Sequence, residues 1–458
     1  MIEIINDLVQ KQKQYFKSSN TLPIKNRIFY LKKLYQAINN NIDEIANALF
    51  LDLGKSKSEA YMCEIGLVLN EISFMLKNIK RLSKPRKCKT PLAQFHAKSF
   101  QIAQPYGVVL IMSPWNYPFL LSLDPLIEAI AAGNTVVLKP SKYSLYTSEI
   151  IKKLINEVFN SEYAEVIFGG ADVNQALINQ DFDYIFFTGS KNVGKIVYEA
   201  ASKKMIPVTL ELGGKSPCII DNKVNLKLAA RRITWGKYLN LGQTCVAPDY
   251  VLCHEDVYDE FLKLLKDEII SQYTNNPLNN CEYGKIINQK HFDRALNLLD
   301  NNKIYYGGKI DKERLKIEPT IMIDVTLDDN VMKEEIFAPI LPVIKISSIN
   351  NAIDYIANFE VPLAFYIFSN NKKNINRLLR ELEFGGGCVN DCVMHLATSY
   401  LSFGGFKDSG IGSYHGKTGF DTFSHYKSIL DKKNWIDMPM RYKPRSNFKD
   451  ALVKKFLK

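Results

Sequence analysis

The sequence predicts an α/β protein built on parallel sheet, on three observations. Residues 2–80 read mostly as helices; from residue 106 short apolar runs alternate with helix-length segments; and a second succession of the same kind starts after Glu211. Short strands separated by helices imply a parallel sheet covered on both faces, with ligands bound beyond the carboxyl ends of the strands.

In order along the chain, apolar residues recur at helical spacing through Ile28, Leu31, Leu34, Tyr35, Ile38, Ile42, Ile45 and Leu49, and again over 61–76. The basic, proline-containing stretch 84–92 reads as a helix exit and 93–104 as an extended connector. Residues 106–112 form a strand, Ser113-Pro114 a turn and 124–132 a helix. Then come a strand at 135–138, a helix at 148–159, extended runs at 165–168 and 184–187, a helix at 192–201 and a strand at 208–210. The second succession has helices at 231–238 and 257–270 and strands at 250–252, 321–325, 342–346 and 364–368. Gly385-Gly386-Gly387 and Phe403-Gly404-Gly405-Phe406 read as flexible or tightly turning. Neither an internal repeat nor a low-complexity tail is evident.

Composition bounds the function. A chain of 458 residues, 46% hydrophobic and 23% charged, has room for several domain-sized units and an ordinary soluble interior. Eight cysteines without a compact C-x-x-C or cysteine–histidine cluster argue against a disulfide scaffold and against a metal site, and favour a reduced, cytoplasmic setting. Met1 to Asp7 carries no secretion signal, no run is long enough to span a bilayer, and 448–458 is too short and charged for an anchor. A weak peripheral contact with anionic lipid stays open. The net charge of +11 invites a nucleic-acid reading. The lysines lie on helical stretches, some beside acids, and no nucleic-acid motif accompanies them, so the expectation is a solvated basic surface.

The most informative chemistry lies in Asn240-Leu241-Gly242-Gln243-Thr244-Cys245, a cysteine after a polar, glycine-containing turn, with Glu211 at the end of a strand upstream. A thiolate attacks an electrophilic carbon and a carboxylate takes a proton from water. On local evidence alone, any of the eight cysteines is more often a small buried residue, and a strand-end glutamate more often structural. The same holds for Phe187-Thr188-Gly189-Ser190-Lys191-Asn192-Val193-Gly194. It lies between a strand and a helix, where glycine and free helix amides suit a phosphate, but an ordinary turn is as good a local reading.

Six segments in order resemble the aldehyde dehydrogenase superfamily. They are Pro114-Trp115-Asn116-Tyr117-Pro118, Leu138-Lys139-Pro140-Ser141, Phe187-Thr188-Gly189-Ser190, Glu211-Leu212-Gly213-Gly214-Lys215, the stretch from Arg231 through Cys245 to Tyr250, and Glu334-Glu335-Ile336-Phe337-Ala338-Pro339. The cysteine segment is similar to the class 3 branch, which includes fatty aldehyde dehydrogenases, though without their membrane anchor. The resemblance implies a Rossmann-type domain for NAD and/or NADP at 1–82 and 103–211 and an α/β catalytic domain at 212–420. It also implies a small β bridging and oligomerisation region at 83–102 and 421–445, a basic tail at 446–458, and a homodimer.

The resemblance further implies oxidation of aldehydes, medium or long aliphatic or aromatic, to carboxylic acids through a thiohemiacetal and thioester on Cys245. Asn116 and the Cys245 N–H would hold the oxyanion, and Glu211 would activate water. Lys139, Gly189, Ser190, Glu335, Phe337 and Trp115 would bind the cofactor. Lys142 stands where the family commonly has a glutamate, and would attract a 2'-phosphate rather than repel it. Tyr117, Trp235, His395 and His415 are candidates for the substrate pocket, with core packing as the alternative. No metal is required, since the cofactor accepts the hydride. The competing readings are a CoA-acylating dehydrogenase, which would have little need of Glu211, a more remote phosphate-linked semialdehyde reductase, and a non-enzymatic nucleotide-binding protein.

Overall fold

Residues 2–457 are described in the computed structural model; Met1 and Lys458, the outermost residues of the expected first and last segments, lie outside the described residues. Helices Ile2–Lys17, Ile24–Asn40, Ile42–Leu53 and Lys57–Ala60 lead through a π-helical turn, Tyr61–Ile65, into Gly66–Leu82. The expected N-terminal helices are thus present. Gly54 ends the third of them in the left-handed conformation (φ 68°) that glycine adopts without penalty.

The first sheet has the strand order Gly410–Ile411, Val208–Glu211, Tyr184–Thr188, Val108–Met112, Thr135–Lys139, Ala164–Val166. Its pairings are parallel except for Gly410–Ile411, which runs antiparallel beside Glu211. Ile5 and Val9 of the first helix pack on one face of this sheet, and helices Leu120–Ala132 and Leu145–Val158 on the other. Strand order reverses between Val108–Met112 and Tyr184–Thr188, and a crevice opens at such a switch point beyond the carboxyl ends of the strands.

The second sheet runs Ile304–Tyr306, Thr320–Met322, Ile340–Ile346, Tyr250–His254, Pro217–Ile220, Ala364–Phe368, Gly386–Val389, parallel apart from its first pair. A third, antiparallel sheet joins Arg86–Cys88, Ala97–Pro105 and Ser424–Lys432, bringing the late chain back to the segment expected to be an extended connector.

Three local expectations change. The helix expected from residue 124 starts at Leu120, so Pro125 lies inside it. Burial of nearly every residue from 120 to 132 outweighs the hydrogen bond that proline cannot make. The triple glycine, expected to be flexible or turning, feeds an edge strand, Gly386–Val389. A Cβ on Gly387 would stand 2.1 Å from the Phe365 carbonyl oxygen, so close backbone approach is the reason for glycine. Strand Pro217–Ile220 and helices Gln289–Leu296, Ile349–Ile356 and Lys372–Glu381 were not foreseen. Among the described residues, no helix is long and apolar enough to cross a membrane.

Candidate active site where two cavities meet

Helix Leu226–Tyr238 delivers the chain to a turn in which Asn240 (φ 49°), Leu241 (φ 53°) and Gly242 (φ 71°) are all left-handed. Two of the three are not glycine, so side chains must hold the turn. Asn240 Nδ2 donates to the carbonyls of Asn116 (2.8 Å) and Gln243 (3.1 Å). Gln243 Nε2 donates to the carbonyls of Asn240 (3.0 Å) and Lys285 (3.1 Å), and its Oε1 accepts from Ile287 N–H (3.1 Å). At the end of this turn Cys245 is half-buried, while the residues on either side of it are buried.

Asn116 is buried, and its Nδ2 donates to the Gln243 carbonyl at 3.0 Å, which aims the amide and leaves a second N–H free. Its own carbonyl accepts from Lys55 Nζ at 3.1 Å. Lys55 is ion-paired with Glu64 at 2.5 Å out of contact with solvent. The other Glu64 oxygen accepts from the N–H groups of Phe119 and Leu120, where the next helix begins. Sequence reasoning missed this support because neither partner lies in a motif.

Glu211 ends its strand at 1% exposure, and neither carboxylate oxygen has a hydrogen-bond partner. Burial without compensation pushes its pKa well above the usual carboxylate value. Burial, then the charges of Glu335 and Glu211, push the Cys245 thiol up as well. Lys237, also missed, lies fully buried on the helix before the turn with no partner for Nζ, and burial lowers it to about 8.

Two cavities share Cys245. One is lined almost wholly by apolar groups, among them Leu67, Tyr117, Leu120, Trp235, Phe403 and Tyr414, with His415 in its wall. Tyr117 and Trp235 both line this cavity, and the Tyr117 hydroxyl is 2.7 Å from Thr244 Oγ1, beside the cysteine. His415 stacks on Phe403. His395 is not among the residues lining this cavity. Its ring packs against Tyr366 and Phe403, and Nδ1 lies 3.6 Å from Cys388 Sγ. The ring lies against Gly386, where a Cβ would stand 3.0 Å from it.

The second cavity is lined by Trp115, Asn116, Thr188, Gly189, Ser190, Glu335 and Phe337 together with Cys245. Gly189 N–H donates to the Glu211 carbonyl (3.0 Å), tying this turn to the carboxylate strand. Ser190 opens helix Lys191–Ser202 without a side-chain cap, so the helix amides are available to an anion. Trp115 packs on Phe337 and on His291, a residue of an unforeseen helix. A Cβ on Gly213 would fall 2.4 Å from Glu335 Oε2, so glycine there lets the carboxylate in; burial raises Glu335 to about 8.

Lys139 is buried at the end of its strand and lowered to about 8, by burial first and then by the charge of Lys142. Lys142 is exposed, its Nζ over the Tyr143 ring and beside Gly170. Two neighbouring cations, a bare helix N-terminus and a carboxylate fit the phosphates and ribose of a dinucleotide. Among the described residues, no group of three or more His, Cys, Asp or Glu is placed to hold a metal ion.

Comparison with known proteins agrees with this geometry. The model of the aldehyde dehydrogenase family matches residues 3–429. The chain is 46% identical to the 4,4'-diaponeurosporen-aldehyde dehydrogenase of Staphylococcus aureus, over all of both chains. It is 43% identical to aldehyde dehydrogenase family 3 member A2 of Rattus norvegicus, over 98% of this chain and 93% of that one. The solved structure of the substrate-bound state of Staphylococcus aureus AldH superposes with a TM-score of 0.97 at 45% identity, covering 99% of each chain. The chain belongs to the aldehyde dehydrogenase family and is an NAD(P)-dependent, non-acylating enzyme that oxidises aldehydes to carboxylic acids.

Proposed function

We propose that this enzyme is of the class 3 branch and oxidises medium or long aliphatic, or aromatic, aldehydes at Cys245. The observation that carries the reading is the sharing of Cys245 between an apolar cavity, which suits a hydrocarbon chain, and a polar one, which suits a dinucleotide. The Staphylococcus aureus relative is named for 4,4'-diaponeurosporen-aldehyde and the rat relative for family 3, which supports an apolar substrate and this branch.

The Cys245 thiol gives up its proton to solvent, and the sulfur attacks the aldehyde carbon as the thiolate. The free N–H of the Asn116 amide and the Cys245 N–H stabilise the charge that develops on oxygen. The dinucleotide, when bound, accepts the hydride. Glu211 then takes a proton from the water that attacks the thioester; its two unpartnered oxygens leave it free for that water. Lys139 and Glu335 would hold ribose hydroxyls, Gly189 and Ser190 the phosphates, and Trp115 and Phe337 would border the nicotinamide end. Lys142 would attract a 2'-phosphate, which supports NADP as a cofactor in place of or alongside NAD. Tyr117, Trp235 and His415 border the substrate. The domains follow the division at 82/83, 102/103, 211/212 and 420/421, and the basic tail begins at 446.

The assembly is a homodimer. Edge strand Ser424–Lys432 leaves Ile429 and Leu430 exposed, and an edge of this kind calls for cover. The test is acid formation from a panel of aldehydes with NAD and with NADP, using wild type and Cys245→Ser, with sedimentation for the dimer. A preference for short, charged aldehydes, retained turnover in the serine variant, or a monomer would each overturn its part.

A further inference from the structure

The chain from strand Val108–Met112 to helix Leu120–Ala132 carries Asn116 and Tyr117, and residues 113–119 belong to no helix or strand. No ladder of main-chain bonds therefore fixes the two residues that face the reacting cysteine. The buried ion pair of Lys55 and Glu64 fastens this segment at both ends. Lys55 Nζ donates to the Asn116 carbonyl at 3.1 Å and lies 3.9 Å from the centre of the Tyr117 ring. Glu64 Oε2 accepts from the N–H groups of Phe119 at 2.9 Å and Leu120 at 3.2 Å, while its Oε1 holds Lys55 Nζ at 2.5 Å.

Glu64 lies in the π-helical turn Tyr61–Ile65, and single turns of this kind occur frequently at functional sites. The same turn sets Met62 and Cys63 in the wall of the apolar cavity. One turn earlier, Glu59 Oε1 accepts from the N–H of Asn240 at 3.0 Å, at the first left-handed residue of the cysteine turn. Residues 55–64 thus grip both sides of the nucleophile: the segment with Asn116 and the turn that leads to Cys245.

We propose that Lys55 is a positioning residue of the oxyanion site, acting through Asn116, and that Glu64 holds Lys55 and the far end of the segment in place. The proposal rests on the reading of Asn116 as an oxyanion donor. Every link in it is a direct contact. Lys55 meets the Asn116 carbonyl, which also accepts from Asn240 Nδ2 at 2.8 Å. The Asn116 amide donates to the Gln243 carbonyl at 3.0 Å, and the Tyr117 hydroxyl meets Thr244 Oγ1 at 2.7 Å, so the segment joins the two residues before Cys245.

Stability alone is a poor reason for such a pair. Lys55 is 1% exposed and Glu64 0%, and taking two charges out of water commonly costs as much as their attraction returns, so apolar residues of similar volume would hold the fold as well. They would not hold a carbonyl and two main-chain N–H groups at fixed points. An oxyanion donor works only when it is aimed at the place where charge develops, and a shift of about 1 Å can cost about a hundredfold in rate. A buried, directional pair is suited to that task.

The test combines Lys55→Met with Glu64→Gln, so that both charges leave together, and repeats that pair of changes in an Asn116→Ala background. Thermal melting reports the fold, and steady-state turnover of the full chain reports kcat and the dinucleotide KM. The paired change should lower kcat about tenfold, less than the roughly 10²–10³ of a lost oxyanion donor, with the dinucleotide KM within about twofold of wild type. In the Asn116→Ala background the same change should lower kcat by no more than about twofold, because the amide that it aims is gone. Glu64→Asp keeps both charges and draws the carboxylate back by one carbon; it should show the same coupling to Asn116, and it carries the test if the neutral pair does not fold. An unchanged kcat, or the same loss with Asn116 present and absent, would overturn the proposal. Turnover by Asn116→Ala alone at the wild-type rate would instead remove the oxyanion role on which it rests.

Discussion

Replacing Glu211 by Gln separates the catalytic use of this carboxylate from any structural one. Its oxygens accept no hydrogen bond, so an amide of the same shape forfeits no partner. Burial already penalises the charged form, and exchanging one unpartnered polar group for another should shift folding stability by less than the ~1–3 kcal/mol of a newly orphaned group. The chemical cost is larger. Loss of a positioned general base is worth roughly 10²–10⁴ in rate, and each factor of ten is about 1.4 kcal/mol of barrier. Thiol attack and hydride loss precede hydrolysis, so stopped-flow absorbance should show up to one equivalent of reduced dinucleotide per site in a burst, followed by a steady rate at least about a hundredfold below wild type. Quenching after the burst should trap an acyl group on Cys245. A steady rate within a few fold of wild type would refute the assignment of Glu211, and loss of the burst together with the melting transition would show a structural role.

Asn116→Ala should lower kcat by about 10²–10³, read as turnover with the cofactor KM little changed; an effect confined to KM would contradict an oxyanion role. Gly213→Ala should drive Glu335 from its place, since the added carbon would sit 2.4 Å from Oε2, and raise the cofactor KM in steady-state titrations. Lys142→Glu should lower kcat/KM for NADP at least about tenfold while sparing NAD, because it replaces attraction to the 2'-phosphate by repulsion. Glu71, Asp124 and Glu128 bind protons more tightly folded than unfolded, so their stabilisation is complete below their unfolded values and fades as pH rises toward their folded ones. Thermal unfolding at a series of pH values should therefore show a midpoint falling from about pH 5 to about pH 8, with a flatter profile in Asp124→Asn.

By itself the sequence determined the α/β class, the alternation of the first sheet and the short segments that carry Cys245, Glu211, Asn116, Lys139 and Ser190. Those are local properties: a buried parallel strand is a run of apolar residues, and a reactive group at its end is followed by a turn. Tertiary structure decided the rest. Gly385 to Gly387 look like a loop in isolation, and only the proximity of the Phe365 carbonyl and Gly404 makes them an edge strand and its approach. His395 is a pocket candidate by its neighbours in sequence, while the fold packs its ring against Tyr366 and Phe403. Lys55, Glu64, Asn240 and Gln243 hold the cysteine turn through bonds to residues far along the chain, which no local pattern records. The proximity of Glu71, Asp124, Glu128 and His415 is likewise invisible in one dimension. Burial and charge act through space, and only the fold sets which acids share it.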